Sequence, residues 1–472
     1  MKRKIFTILL VLLVIVSSVG CIKPEESPIY TEFDDEPFEL TMAVNLFLSY
    51  EHLLTAARLY EFETGIKVNI ENNYIRPDYD NYDYLDPYPD TDIYTEQVLA
   101  SLLTGTGADI YDVRYLDFQN LGRNGLLADM SVWLESDVNL TEDIVFRDIL
   151  LSTKTENSVF AVPIDFMLSR LRAASSDEPP LPNKHMTWKE FFDVVGGSDY
   201  TKDRAYAGLD IYRFMDRFVS RASYFIDETG KTNNLDSAEM ISLLEECREW
   251  AETGLCGDAR DLDAYLNGSF SYSGVSVGYF NSIADMLCTL PDEYERVSEG
   301  YYAGCYTIPT PIDSDPIVTD GIERYPELHN YWTGLYGVNA GSPRAEAAQD
   351  FLRFLLSPEI QEEITHKPPP PGSHITHNGF YIPVNRAAFR NMMDRDLQRA
   401  QAHRRDLELD FPALMKEAED NIDQIAYFIT EKPYYRTIIY KVARQYFLDE
   451  ISAEEAAKQM SDKVGLYLKE LG

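Results

Sequence analysis

The chain has 472 residues, 45% apolar and 26% charged. Such proportions suit a soluble globular protein of two or three units, each of roughly 100–200 residues, and they exclude a disordered tail, a collagen-like fibre and a polytopic membrane protein. Forty-two Lys and Arg stand against 79 Asp and Glu, a net charge of −37. A surface this acidic repels phosphate backbones and anionic lipid, so no nucleic-acid partner is expected. Tyr supplies 32 residues, and its apolar ring with a polar tip suits half-wet binding surfaces.

The chain starts with Lys2, Arg3 and Lys4, followed by twelve residues, Ile5 to Val16, that are apolar except for Thr7. As a helix that run would span about 18 Å, short of the ~30 Å hydrocarbon core, so 1–20 reads as a secretory signal rather than a membrane span. Ser17-Ser18-Val19-Gly20 supply small residues before Cys21. The arrangement resembles the lipobox of bacterial lipoproteins, with Ser18 where Leu is usual. That resemblance implies acylation of Cys21 and anchoring to the outer face of the bacterial cell membrane. Pro24, Pro28 and Pro37 among repeated carboxylates make 21–38 a solvated tether.

In the mature chain Thr41-Met42-Ala43-Val44 predicts a strand. Leu53, Leu54, Ala57, Leu59, Tyr60 and Phe62 predict an amphipathic helix ended by Gly65, and Ile66 to Ile70 alternates as a second strand. Strand, helix and strand at this spacing form a βαβ unit and an α/β layer fold. Val98, Leu99, Leu102 and Leu103 predict a further helix, with a strand at Ile110-Tyr111-Asp112-Val113. The segment 74–92 interleaves five Tyr with six Asp. It reads as a Tyr-rich flap near a ligand cleft, with a calcium loop or a plain acidic loop as alternatives; the EF-hand pattern is absent. Cys247, Cys256, Cys288 and Cys305 read as small core residues, with 247–256 and 288–305 as alternative disulfides. His366, His374 and His377 lie in or beside a Pro/Gly-rich run and read as loop histidines. No metal and no cofactor is expected. Neither Gly-x-Ser-x-Gly, His-Glu-x-x-His nor a Walker loop occurs, so no enzyme is expected.

A series of short motifs then carries a resemblance. Leu59-Tyr60-Glu61-Phe62-Glu63-Thr64-Gly65-Ile66-Lys67-Val68 comes first, then Leu102-Leu103-Thr104-Gly105-Thr106-Gly107-Ala108-Asp109-Ile110 and Asn124-Gly125-Leu126-Leu127. Val159-Phe160-Ala161-Val162-Pro163 and Thr187-Trp188-Lys189-Glu190-Phe191 follow. Gly337 to Ser342 with Ala347 to Glu359, Ile382-Pro383-Val384-Asn385 and Ala453 to Ala457 complete the order. Together they resemble the bacterial extracellular solute-binding proteins of family 1, the sugar-capturing lipoproteins of ABC importers, of the maltose-binding-protein type. Thr187 with Glu190 reads as a capping box over a core Trp188, and Ser342-Pro343 as the start of a helix burying Phe351, Leu352 and Leu355.

The resemblance implies a two-lobed periplasmic-binding-protein fold, type II-like, with crossing segments near 164–167, 331–334 and 372–382 and an interlobe ligand cleft. Lobe one would comprise 39–165 and 332–375, and lobe two 166–331 and 376–472. Ligand contacts are expected from Asn45, Phe47 and Tyr50 after the first strand, and from Arg114, Tyr115 and Asp117 after the strand at 110–113. Asp165 and Phe166 are expected at the first crossing, Tyr331 and Trp332 at the second, and Tyr279, Phe280 and Asn281 in lobe two. Trp332, Tyr279 and Asp165 lead that set. Strand C-termini are where open α/β sheets bind ligands, which supports the same choice. The implied cargo is a carbohydrate, probed for by aromatic rings and by side chains that both donate and accept. The implied partners are membrane permease subunits and their ATPase, with the binding protein itself a monomer. A peptide, polyamine or metal-chelate cargo and a secreted glycoside hydrolase remain alternatives.

Overall fold

The computed structural model describes residues 38–46, 50–73, 89–155, 157–175, 222, 225–227, 231–252, 275–280, 304–308, 317–319, 322–324, 330–366, 382–403, 410–423, 425 and 433–470. The leader, Cys21 and the tether, most of the Tyr-rich segment, the Thr187–Phe191 motif, Cys256, Cys288, His374 and His377 lie outside them. The first part of the chain forms β1 (Glu39–Val44), α1 (Tyr50–Thr64), β2 (Lys67–Asn72), α2 (Pro89–Thr104) and β3 (Ile110–Asp112). Three short helices follow, α3 (Phe118–Arg123), α4 (Ser131–Ser136) and α5 (Arg147–Leu150), and then the long strand β4 (Val162–Ser175). The middle of the chain contributes β5 (Ile226–Asp227), β6 (Thr232–Asn233), α6 (Ala238–Glu252), β7 (Val275–Phe280) and β8 (Gly304–Ile308). Next come β9 (Ile317–Thr319), β10 (Ile322–Arg324), β11 (Asn330–Val338), α7 (Ala345–Leu355), α8 (Pro358–His366) and β12 (Ile382–Pro383). Helices α9 (Arg386–His403), α10 (Phe411–Asp423), α11 (Pro433–Phe447) and α12 (Ala453–Glu470) end the chain.

The expected βαβ unit is present: β1 pairs parallel with β2, Glu39 opposite Lys67, and parallel with β3, Met42 opposite Ile110. Leu40, Met42 and Val44 are fully buried, as befits a parallel strand covered by helices. Helix α1 stops at Gly65, whose φ of +76° only glycine adopts without strain, and the Gly65 amide donates to the Glu61 carbonyl at 2.8 Å. Two expected core residues lie outside the core. Phe62 is 88% and Leu103 71% exposed. Tyr60 and Leu102 are the buried residues of those turns. At 100° per residue Phe62 stands about 200° around from Tyr60, on the solvent face, and Leu103 is turned away from Val98 and Leu102.

Helix α7 buries Phe351, Leu352 and Leu355 as expected. Arg344, not Ser342, is the residue that precedes it. The Ser342 hydroxyl accepts from the Arg344 amide at 2.9 Å and donates to Asp109 at 2.5 Å, so the Ser-Pro pair shapes the turn before the helix. The Tyr60 ring meets Phe351 and Phe354 edge-on at 5.1 and 5.2 Å, fixing α1 against α7.

The main sheet runs β12-β4-β11-β3-β1-β2, with β7 and β8 also on β4. Strand β4 is its spine. Its first half, from Val162 to Leu168, pairs antiparallel with β11, and Phe166 and Asp165 also pair with Ile382 and Pro383 of β12. Its second half pairs with β7 from Leu168 to Ala173 and with β8 from Leu171 to Ser175. One strand thus leaves one set of partners and enters another within a few residues. Two apolar clusters match this division. The larger gathers β1–β3, the first half of β4, β11, α7 and α8; the smaller gathers α6, α11 and α12 with Ala222 and Leu235. Cys247 is buried in the smaller. From residues 382–425, Ile382, Phe389, Met393, Leu397, Ala418 and Ile422 belong to the larger cluster. The buried residues of α9 and α10 join the larger cluster, and those of α11 and α12 join α6 in the smaller.

Candidate functional site

Strands β1, β2 and β3 are parallel, so their carboxyl ends share one edge of the sheet. Register extends that edge. Tyr336 lies opposite Asp112, and the Val113 amide donates to the Leu335 carbonyl at 2.9 Å. Gly334, Thr333 and Trp332 therefore reach beyond the end of β3. Asp165 and Phe166 lie beside them, opposite Gly334 and Trp332. Farther along β4, Tyr279 and Phe280 stand opposite Ser169 and Leu168, and Tyr331 lies opposite Met167. The topology thus brings Asn45, Arg114, Asp165, Phe166, Tyr331 and Trp332 to one edge, with Tyr279 and Phe280 next along β4. For Tyr279, Phe280, Tyr331 and Trp332 this placement concerns the backbone alone, and Tyr50 is the first residue of α1. Phe47 and Asn281 lie outside the described residues.

At the centre is a charge pair between Arg114 and Asp112. Arg114 donates from Nε to Asp112 Oδ1 at 3.0 Å and from Nη2 to Oδ2 at 2.7 Å, while Nη2 also donates to the Asn45 carbonyl at 2.9 Å. Asp112 is fully buried. Burial opposes the guanidinium charge, but the Asp112 carboxylate beside it raises the Arg114 pKa well above its ordinary value. The Arg114 guanidinium also lies over the Tyr115 ring, 5.1 Å from its centroid. Beneath them the Tyr94 hydroxyl reaches the carbonyls of Ala43 and Asp112, each at 2.9 Å, tying β1 to β3. Burial pushes that phenol's pKa well up, so it stays neutral.

Asn45 stands at the end of β1, 5% exposed, and its side-chain oxygen has no hydrogen-bond partner among the described residues. Nearby, Asn72 brackets Leu46, accepting from its amide at 3.1 Å and donating to its carbonyl at 2.9 Å. Other expected contacts have local duties. Asp117 caps α3, accepting from the Asn120 amide at 3.1 Å. Phe166 is fully buried, edge-on to Phe146 at 6.4 Å, and packs in the core. Asp165, 6% exposed, accepts from the Thr333 hydroxyl at 2.6 Å. Burial pushes its carboxyl up to about 6, against the pull of Thr333 and of the Arg114 charge.

Three residues at this edge were missed: Asp112, Thr333 and Gln361. Asp112 precedes Arg114 by two, a spacing that points both side chains to one face of an extended strand, and that signal was legible. Thr333 and Gln361 have no such signal, because their partners are far away in sequence. Among the described residues no group of His, Cys, Asp and Glu could hold a metal ion, and no helix is long and apolar enough to cross a membrane.

A parallel sheet whose carboxyl edge meets a strand shared with a second set of partners defines an α/β solute-binding architecture. The chain belongs to the bacterial extracellular solute-binding proteins, whose family model matches residues 85–371. The fold is the periplasmic-binding-protein fold of three similar solved structures. An ABC transporter solute-binding protein from Thermotoga lettingae bound with α-D-tagatose is 14% identical, with a TM-score of 0.55, over 91% of this chain and 99% of that one. An ABC substrate-binding protein from Listeria monocytogenes in complex with cycloalternan is 13% identical, with a TM-score of 0.56, over 92% and 100%. A family 1 extracellular solute-binding protein from Alicyclobacillus acidocaldarius is 13% identical, with a TM-score of 0.55, over 92% and 100%. No curated protein matches.

Proposed function

We propose that the cargo is an uncharged carbohydrate, held at the carboxyl edge of β1 and β3 and enclosed by movement about β4 and β11. The observation that carries this reading is the side-chain oxygen of Asn45: buried, without a partner among the described residues, and placed where β1 ends. A buried acceptor left unmatched costs about 1–3 kcal/mol, a cost that a ligand hydroxyl donor would remove. Sugar hydroxyls donate and accept, and their C–H faces pack on rings such as Tyr115. Arg114 is matched by Asp112 in a bidentate pair, so it offers an anionic cargo no uncompensated charge. The two solved neighbours with named ligands hold carbohydrates, which favours the same class. In this reading the protein is tethered outside the membrane through acylated Cys21 and hands its cargo to permease subunits.

The test is a thermal-shift screen of the purified protein against mono- and oligosaccharides, with peptides, polyamines and metal chelates as controls. A ligand at ~100 times its dissociation constant adds about 2.7 kcal/mol to the native state, enough to move the midpoint visibly. A saccharide that shifts the midpoint and is recovered unchanged supports the reading. Silence from every saccharide beside a shift with a peptide, polyamine or chelate overturns the carbohydrate assignment and leaves the family intact.

A further inference from the structure

Strand β1 ends at Val44, yet the hydrogen bonding around it continues for two more residues. Successive residues of an extended strand turn their backbone groups to opposite neighbours. The Thr41 carbonyl accepts from the Asp109 amide on the β3 side, and the Val44 carbonyl from the Asn73 amide on the β2 side, each at 2.8 Å. That alternation turns Asn45 to β3 and Leu46 to β2. Both find partners there, but the partners are side chains. The Asn45 amide donates to Asp112 Oδ2 at 3.4 Å, and its carbonyl accepts from Arg114 Nη2 at 2.9 Å. The Leu46 amide donates to Asn72 Oδ1 at 3.1 Å, and its carbonyl accepts from Asn72 Nδ2 at 2.9 Å. A carboxamide has an acceptor and donors in one plane, so a single Asn stands in for the backbone that a longer β2 would supply.

Leu46 is also 2% exposed and belongs to the larger apolar cluster. Neighbouring residues of an extended chain point to opposite faces, so fixing Leu46 fixes the face on which the Asn45 side chain lies. The four backbone groups of the two residues are thereby matched. What remains is the Asn45 side-chain oxygen, without a partner among the described residues.

We propose that Asn72 is a positioning residue of the cargo site: it holds Leu46, and through it Asn45, in the binding conformation before cargo arrives. Asp112 and Arg114 do the same from the β3 side. The inference rests on the proposed placement of cargo at Asn45 and adds the residue that presents it. Segments ordered only on binding weaken affinity, because their conformational entropy is lost at that moment. Asn72 is half-buried at the end of β2, so removing its side chain admits water to the Leu46 backbone and leaves the core packed.

The experiment pairs hydrogen exchange of the full chain, read on peptides covering residues 43–46, with calorimetric titration. The probes are D-tagatose and cycloalternan, the sugars of the two solved neighbours, and any saccharide that the screen returns. Wild type is expected to protect this segment before sugar is added. Asn72→Ala should lose about tenfold in that protection and bind sugar about tenfold more weakly, roughly the cost of ordering one residue on binding. Its unliganded melting midpoint should stay within ~2 °C of wild type. Sugar should restore the lost protection, a response that a purely structural residue would not give. Asn73→Ala removes only side-chain contacts of 3.5 and 3.3 Å to the Val44 and Glu71 carbonyls, so it should match wild type in both readouts. Wild-type affinity or unchanged protection in Asn72→Ala overturns the proposal and leaves the sugar assignment standing. A wild type that binds no saccharide overturns the sugar assignment instead, and protection at 43–46 then supports or overturns this inference without cargo.

Discussion

Gln361 and Ile164 meet across 197 residues of sequence: the Gln361 side-chain amide donates to the Ile164 carbonyl at 3.0 Å. The same nitrogen reaches the Leu355 carbonyl at 2.9 Å, and the Gln361 oxygen accepts from the Asn385 amide at 3.3 Å. One fully buried side chain therefore joins the end of α7, the crossing strand β4 and the start of α9. It anchors β4 one residue before Asp165, at the bulge where the β4–β11 register shifts.

Gln361→Leu keeps much of the volume and leaves these backbone groups unmatched. A loss of at least ~2 kcal/mol is expected by urea denaturation, since each unmatched buried group costs about 1–3 kcal/mol. A midpoint within error of wild type would show that the three bonds contribute nothing net.

Breaking the Asp112–Arg114 pair from one side should cost more than removing both partners. Asp112→Asn leaves a buried guanidinium uncompensated, at about 3–5 kcal/mol. Adding Arg114→Met should recover part of that loss. A double variant less stable than the single one would contradict the assignment of the pair as the main partner of each.

For global stability, the raised Asp165 pKa has a definite sign. Its contribution is fully present below the unfolded value of ~3.9 and is lost as pH rises through the folded value of about 6. Asp165→Asn should therefore exceed wild type by roughly 2–3 kcal/mol near neutral pH. The two curves should converge towards about pH 4. Parallel melting curves across that range would show that Asp165 does not titrate there.

Gly334→Ala places a methyl 2.8 Å from Ile164 Cγ1 and 2.9 Å from Asp165 Oδ1. Overpacking of this order costs about 1–3 kcal/mol. It should also raise exchange on β11, because the bulge must widen to admit it. Unchanged stability would mean that the bulge adjusts without strain.

Trp332→Ala and Tyr279→Ala test the contact set itself. Each is expected to weaken cargo binding by ~1–3 kcal/mol, the value of a lost buried aromatic, as read by calorimetry with the saccharide found in the screen. Wild-type affinity in both variants would move the contacts away from β11 and β7.

Much of lobe one was legible because its signals are local. Period-two and period-3.6 patterns found β1, α1, β2, α2 and β3, and Gly65 marked the stop of α1. The motifs Val159–Pro163 and Gly337–Ser342 adjoin the start of β4 and the end of β11. The position of residues 382–425 was not legible, because amphipathic helices such as α9 and α10 do not reveal which apolar surface they will cover. Phe62 and Leu103 show a smaller version of the same limit: an apolar residue near a buried one can still face solvent.

The sequence by itself determined the α/β class, the acidic composition and the order of motifs, since each depends on composition or on residues within a few turns of one another. Only the tertiary structure decided that Arg114 is matched by Asp112, that the Asn45 oxygen is left without a donor among the described residues, and that Asp165 accepts from Thr333. Those facts depend on strand register, in which a one-residue offset turns every side chain to the other face. Register is set by contacts between segments far apart in sequence, as between Asp165 and Thr333, 168 residues apart, and no local pattern encodes it.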